Sequence, residues 1–275
     1  MKRNWTAYPY ILWMLLFTIV PMLLILYFSF AAGVSGEAHF SLDNFKRVFD
    51  PLYLKVIWRS VRLAFISTVI CLLAGYPVAM LLAQSNSSRQ FMLIVLFVIP
   101  MWMNFLARTY AWMTLLEKNG LINAFLGWFG LGPYNLLHTE FAVILGMIYN
   151  FLPFMVLPIY TVLSKMEPSL IEASYDLGAN PVRTFFRVTL PLSLPGVLSG
   201  ISMVFMPSVT TFVIPQLLGG GQFTMIGNLI EQQFLRSDDW GFGSALSIIL
   251  MLLILLSMRI MSHYERDNGE GGGLF

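Results

Sequence analysis

Two groups of side chains in this sequence are suited to holding a cation. The first group, in an apolar stretch, is Trp102, Asn104 and Tyr110. The second, in a short polar run, is Asp238, Asp239 and Trp240. Aromatic faces attract ammonium groups by about 0.5–2 kcal/mol each, and carboxylates attract them through charge. The same residue types also serve as interfacial membrane anchors, solvated loops and helix N-caps. Cation binding and anchoring are therefore both open for these positions.

The sequence contains no recognisable catalytic centre. It has neither a G-x-x-x-x-G-K-[ST] loop for nucleotide phosphates nor a G-x-S-x-G nucleophile turn. His39, His138 and His263 are scattered without metal-ligand spacing. The single cysteine, Cys71, lies in an apolar run and is interpreted as a small buried hydrophobe. The chain is predicted to be no enzyme, to hold no metal or cofactor, and to bind no nucleic acid.

The most regular punctuation lies in the segment 164–190. Pro168 suits the first turn of a helix, and Gly178 is placed to end that helix with a positive φ. Asn180 and Pro181 then suit the N-cap and first turn of a second helix. Two short helices joined at a glycine elbow would act as a lever on the membrane spans at either end. An amphipathic connector lying on the membrane surface is the alternative.

The composition indicates that most of the protein surface faces lipid. Hydrophobic residues make up 57% of the 275 residues and charged residues 11%, whereas soluble domains carry about 25% charge. A helix needs about 20 apolar residues to cross the hydrocarbon core. We therefore expect an all-α integral membrane protein with six transmembrane helices, at about 9–30, 61–83, 91–115, 140–163, 192–214 and 241–262.

Several details of these spans have two interpretations. Residues 216–230 could form an additional re-entrant segment. Gly196 and Gly200 form a G-x-x-x-G pair that lets helices approach closely, either within the chain or against a partner. Arg108 lies about 26 Å along a continuous third span, as a snorkelling interfacial anchor or as a gate or intersubunit ion-pair residue. Residues 268–275 are polar and glycine-rich, which predicts a disordered tail.

An ion-coupled secondary transporter is the main alternative among function classes. Such proteins often contain inverted repeats and ionisable residues near the bilayer centre. No convincing repeat is present, and no acidic residue falls in the middle of a predicted span. A receptor-like membrane protein would leave the elbow segment unexplained.

The elbow segment resembles the cytoplasmic signature of ABC importer permeases, E-A-A-x3-G-x9-I-x-L-P. Its spacing fits at every position, with Ser174 in place of Ala and Val188 in place of Ile. In that family this loop docks on an ATPase subunit. The resemblance therefore implies a type I importer architecture, a cytoplasmic loop with both termini inside, and a set of coupling residues: Glu172, Ala173, Ser174, Asp176, Gly178, Leu190 and Pro191.

The resemblance extends along nearly the whole chain to the B-type permeases of spermidine/putrescine importers. Matching segments include Gly75-Tyr76-Pro77, Leu152-Pro153-Phe154-Met155 and Ile226-Gly227-Asn228. It implies polyamine uptake by alternating access across a bacterial cytoplasmic (inner) membrane. The implied partners are a second, related permease, two ATPase subunits that bind ATP and Mg, and an external substrate-binding protein. Another small cationic or organic substrate is the alternative cargo.

Overall fold

A computed structural model describes residues 8–32, 39–85 and 87–269. Within these ranges the chain is mostly helical, and residues 31–32 and 39–40 form a two-residue antiparallel pair in which Ala31 lies opposite Phe40. The elements, in chain order, are α1 (Tyr8–Met14), a π-helical turn (Leu15–Ile19), α2 (Val20–Phe30), β1 (Ala31–Ala32), β2 (His39–Phe40), α3 (Asp43–Val48), α4 (Pro51–Gln84), α5 (Ser87–Trp102), α6 (Phe105–Leu116), α7 (Leu121–Trp128), α8 (Glu140–Leu163), α9 (Pro168–Asp176), α10 (Pro181–Thr184), a second π-helical turn (Phe185–Thr189), α11 (Leu190–Thr210), α12 (Val213–Leu218), α13 (Ile226–Leu235) and α14 (Trp240–Gly269).

Five continuous helices among the described residues are long and apolar enough to cross a membrane. A bent pair of helices, Arg89–Trp102 and Phe105–Trp128, makes a sixth candidate when it is counted as one span. The two halves of that pair meet at 92°. The predicted all-α architecture is confirmed, with five continuous candidate spans and a sixth, third in chain order, that is broken.

The prediction of a continuous third helix at 91–115 was therefore wrong. Pro100 lies inside the end of α5, and the chain leaves the helical path at Met103. Asn104 then caps α6, because its Oδ1 accepts from the backbone N–H of Leu106 at 2.8 Å. An asparagine N-cap in an apolar run starts a new helix direction, so counting 1.5 Å per residue along a straight helix misplaces everything beyond it.

The spans Pro9–Phe30, Glu140–Leu163 and Trp240–Met261 agree with the predicted 9–30, 140–163 and 241–262, whereas the second and fifth spans differ at their ends. Helix α4 begins at Pro51 rather than at residue 61, since Asp50 accepts from Leu52 N at 2.9 Å and Pro51 fills the first turn. Helix α11 ends at Thr210, before the predicted 214, and the separate helix α12 follows after two residues. The predicted tail 268–275 begins within the end of α14, and residues 270–275 lie outside the described residues.

The core is built from α4, α8 and α11, which pack against one another. Gly196 and Gly200 on α11 lie directly against α8: a Cβ on Gly196 would come within 2.8 Å of Pro158 O, and one on Gly200 within 3.1 Å of Met155 O. The close approach that this G-x-x-x-G pair permits is therefore made inside the chain. Cys71 is fully buried in the same core.

Along most of the first span, Pro9–Phe30, the side chains stay partly or largely exposed. Its second half, α2, packs along α14, and large side chains such as Trp13 and Phe17 remain more than half exposed. In a membrane protein such a surface faces lipid or another subunit.

Candidate coupling loop and substrate pathway

The elbow is closed by a complete set of backbone hydrogen bonds. Helix α9 ends with Gly178 N donating to Tyr175 O at 2.8 Å and Ala179 N donating to Ser174 O at 3.0 Å. These two bonds define the Schellman motif, which needs a left-handed residue after the helix. Gly178 supplies it with φ +79°. The expected helix stop is thus formed at the predicted residue.

The second arm of the elbow starts as its sequence indicates. Asn180 caps α10 by accepting from Arg183 N at 2.8 Å, and Pro181 occupies the first turn. Its end differs from the prediction of a separate fifth span at 192–214. A π-helical turn links α10 to α11, so that Pro181–Thr210 forms one continuous 30-residue span. The π-turn changes the hydrogen-bond register just before the first proline of α11, whose missing N–H would otherwise interrupt an α-helix.

A hydroxyl pair ties the two arms of the elbow together. Ser174 Oγ donates to Ile171 O at 2.8 Å and lies 2.8 Å from Thr184 Oγ1, which is therefore the donor in the hydroxyl pair. Both side chains are buried, at 9% and 3% exposure. Ser174, which departs from the family pattern, thus makes a specific contact. The spacing around Ser174 did not predict this contact, because Thr184 lies on the other arm.

The second arm also contacts α4. Tyr76 and Phe185 meet edge to face with ring centroids 5.4 Å apart, and the Tyr76 hydroxyl lies 2.8 Å from Ser193 Oγ. Any displacement of the elbow therefore reaches α11 directly and α4 through these contacts.

The outward surface of the elbow mixes acidic and apolar groups. Glu172, Ala173 and Asp176 are exposed on α9, and Leu177 at the tip is 89% exposed. Phe186 on the second arm is also mostly exposed. An exposed leucine beside carboxylates at the tip of a rigid elbow is suited to entering a groove on another protein.

The break in the third span separates the four residues singled out there. Trp102, at the end of α5, is 86% exposed, and Asn104 is the α6 cap. Tyr110 is half-exposed, whereas Arg108 is only 9% exposed. Arg108 is consequently not a snorkelling anchor, because its side chain runs into the protein instead of along the surface.

The acidic run before α14 is engaged in protein contacts. Asp239 accepts from Phe242 N at 3.0 Å as a helix cap and pairs with Arg47 at 2.9 Å. Asp238 accepts from the indole N–H of Trp240 at 2.6 Å. The N-cap interpretation therefore describes Asp239, and part of its charge is balanced by Arg47, 192 residues away in sequence.

Further contacts at this end of the bundle were not predicted. Arg62 on α4 forms an ion pair with Glu140 at the start of α8. Arg59 donates to Gln222 O at 3.1 Å and lies over the ring of Phe223, which holds the loop that contains Gly219–Gly221. In the part of the chain that the structure describes, no group of three His, Cys, Asp or Glu side chains is placed to hold a metal ion.

A bundle of membrane spans with a rigid elbow between the fourth and fifth defines a transport permease rather than an enzyme. The family model described as "Binding-protein-dependent transport system inner membrane component" matches residues 2–269. The chain belongs to this family, whose members are multi-pass transport subunits of ABC importers.

Curated relatives cover nearly the same length. The spermidine/putrescine transport system permease protein PotB of Haemophilus influenzae is 39% identical over 260 residues, 93% of this chain and 90% of that protein. PotB of Escherichia coli is 38% identical over 253 residues, 90% of this chain and 92% of that protein. A chain in the crystal structure of a bacterial ABC transporter that imports the acidic polysaccharide alginate matches with a TM-score of 0.80 at 19% identity, covering 95% of this chain and 94% of that one.

Proposed function

We propose that this chain is the membrane permease subunit of an ATP-driven importer of polyamines such as spermidine and putrescine, which works by alternating access. The identity of 38–39% to permeases named for these cargoes, over about nine-tenths of the chain, supports the choice of cargo. The observation that carries the mechanism is the Schellman-capped elbow, which is rigid and projects from the bundle.

The proposed complex has four further components. A second, related permease would form a heterodimer with this chain, and two ATPase subunits would bind ATP and Mg on the cytoplasmic side. A substrate-binding protein would deliver the cargo from outside. An alginate importer of the same fold has been crystallised with its periplasmic protein bound, which supports this arrangement as a template.

The orientation follows from placing the elbow on the ATPase side, with both termini in the cytoplasm. Ser169 at the start of α9 and Ser237 before α14 then lie on opposite faces of the membrane. A cysteine placed at Ser169 should be labelled only from inside, and one at Ser237 only from outside. The buried Cys71 gives no background. Labelling of both positions from one face contradicts the proposed topology.

The coupling route runs from the elbow to the core. When the ATPases close, they move α9, and the bond between Ser174 and Thr184 carries the movement to the second arm. The continuous helix Pro181–Thr210 then moves as one body. Gly196 and Gly200 bring the backbone of this helix into direct contact with α8, so the two helices move together. The ATPase stroke is thus converted into movement of α11 and α8.

Trp102 and Tyr110 are proposed to line the route of the cation. Both keep exposed aromatic faces beside the break in the third span, and such faces attract multivalent ammonium ions. Asp238, Asp239 and Trp240 are assigned a smaller part in cation entry, because their polar groups already have protein partners.

The proposal is tested by ATP hydrolysis of the complete reconstituted complex with a panel of cargoes. Spermidine and putrescine, delivered with the binding protein, should raise hydrolysis several-fold over the basal rate. Methionine and alginate oligosaccharides should not. Stimulation by an uncharged or anionic cargo, with none by polyamines, would reject the proposed cargo but leave the importer class in place.

A further inference from the structure

Among the described residues, Arg108 is a buried cation without an ion-pair partner. Only 9% of it is exposed, and its Nε atom is fully enclosed without a hydrogen-bond partner. No ion pair among the described residues involves it, and the nearby Thr109 hydroxyl already donates to Phe105 O at 2.9 Å. The described residues therefore leave the charge of this guanidinium without a counter-charge.

The position of Arg108 along the bundle is fixed by its neighbour Trp112. The ring of Trp112, one helical turn further on, meets the ring of Tyr149 on α8 with centroids 5.3 Å apart. Tyr149 lies nine residues after Glu140, which is about 14 Å along α8. Arg108 is one helical turn, about 6 Å, from Trp112, so it lies between the two ends of α8, which is about 36 Å long.

An arginine between the ends of a membrane span is stabilised either by an anionic partner or by water. Unpaired charges are strongly disfavoured in the bilayer interior, and those present face a partner or a water-filled cavity. Asn150, at the same level of α8, has an unpaired buried Oδ1, but an amide oxygen does not neutralise a charge. The cationic cargo proposed above cannot do so either. Lipid phosphates lie near the membrane surface, beyond the reach of a side chain enclosed at this depth.

We propose that Arg108 binds a carboxylate from a transmembrane segment of the second permease subunit, and so fixes the pairing of the two subunits at mid-depth. The inference rests on the proposed heterodimer. Of the Arg108 nitrogens, only Nε is fully enclosed without a hydrogen-bond partner, which leaves the fork of the two terminal nitrogens to meet a group outside the chain. A guanidinium fork suits a carboxylate, which it binds bidentately.

The test measures how much of the second permease stays bound to this chain when the complete complex is purified through a tag on this chain. Arg108→Gln should lower the retained partner by about tenfold or more, because it leaves the partner's carboxylate buried without a counter-charge. Arg108→Lys keeps the charge but loses the fork and should fall between. Arg236→Gln, which changes an exposed arginine, serves as the matched control.

A charge exchange identifies the partner residue. In the Arg108→Asp background, changing each acidic residue in the partner's spans to Arg, one at a time, should restore retention at a single position. Wild-type retention in both Arg108→Gln and Arg108→Met would overturn the proposal.

Three measurements distinguish the intersubunit ion pair from a folding role, an internal water and a lipid phosphate. An equal loss of accumulation when the full chain is expressed without its partner would make Arg108 a folding residue. An equal loss of retention in Asn150→Leu would indicate an internal water between the two side chains. Loss of retention on removal of anionic lipid would indicate a phosphate. Each of these results contradicts the proposal, and none depends on which cargo is transported.

Discussion

Replacing Gly178 isolates the contribution of the elbow conformation. A Cβ at this position would meet no atom within 4 Å, so a side chain there has room. The backbone, however, has φ +79°, and a left-handed conformation costs a non-glycine residue roughly 1–2 kcal/mol. The penalty for Gly178→Ala is therefore conformational rather than steric.

That free energy predicts the size of the functional effect. If the ATPase engages only the closed elbow, a cost of about 1–2 kcal/mol lowers its population relative to competing loop conformations by about 5–30-fold. Gly178→Val should be impaired more than Gly178→Ala because of its β-branch. Gly178→Asn should be impaired least, since asparagine tolerates the left-handed region. The order Gly, Asn, Ala, Val is thus expected for coupling.

The assay is cargo-stimulated ATP hydrolysis by the complete complex in proteoliposomes, with the amount of inserted chain measured in parallel. Gly127→Ala is the matched control, because a Cβ there also meets nothing within 4 Å and Gly127 lies within helix α7. Normal stimulation in Gly178→Ala and Gly178→Val would refute the lever, as would equal impairment by Asn and Val.

Three further perturbations follow from the same contacts. Thr184→Val leaves the buried Ser174 hydroxyl without its partner on the other arm of the elbow. It should lower the amount of cargo transported per ATP hydrolysed, and an unchanged ratio would show that this hydroxyl pair does not couple the two arms. Gly196→Ala places a Cβ 2.8 Å from Pro158 O and should destabilise the complex by about 1–3 kcal/mol, which lowers its melting temperature. A melting temperature equal to that of the Gly127→Ala complex would show that α11 and α8 can move apart to admit the methyl group. Trp102→Ala should slow spermidine uptake while basal ATP hydrolysis survives, whereas Trp128→Ala, which removes a similarly exposed ring, should not; equal rates in the two would leave Trp102 as an anchor.

The parts of the structure set by local signals could be predicted from the sequence. Pro168, Gly178, Asn180 and Pro181 act within a few residues of themselves, through caps and fixed φ angles, and each is found in the expected conformation. The spans followed in the same way from the cost of charge in lipid.

The features that depend on distant residues could not be predicted. The pairing of Asp239 with Arg47 joins residues 192 positions apart, and no local pattern marks it.

The break at Asn104 was hidden because a single polar residue in an apolar run looks the same as a polar residue within a continuous span. Once the break turned α6, the position of Arg108 changed from a predicted interface to the protein interior.

The central claim is that this chain conducts polyamines only as part of an ATP-driven complex. Uptake of labelled spermidine into proteoliposomes tests it most directly, with the complete complex compared with the purified chain alone. We expect accumulation only with the complete complex, with ATP and Mg on the ATPase side and the binding protein on the other. Accumulation by the chain alone, or by the complex without ATP, would contradict the account and favour a secondary transporter.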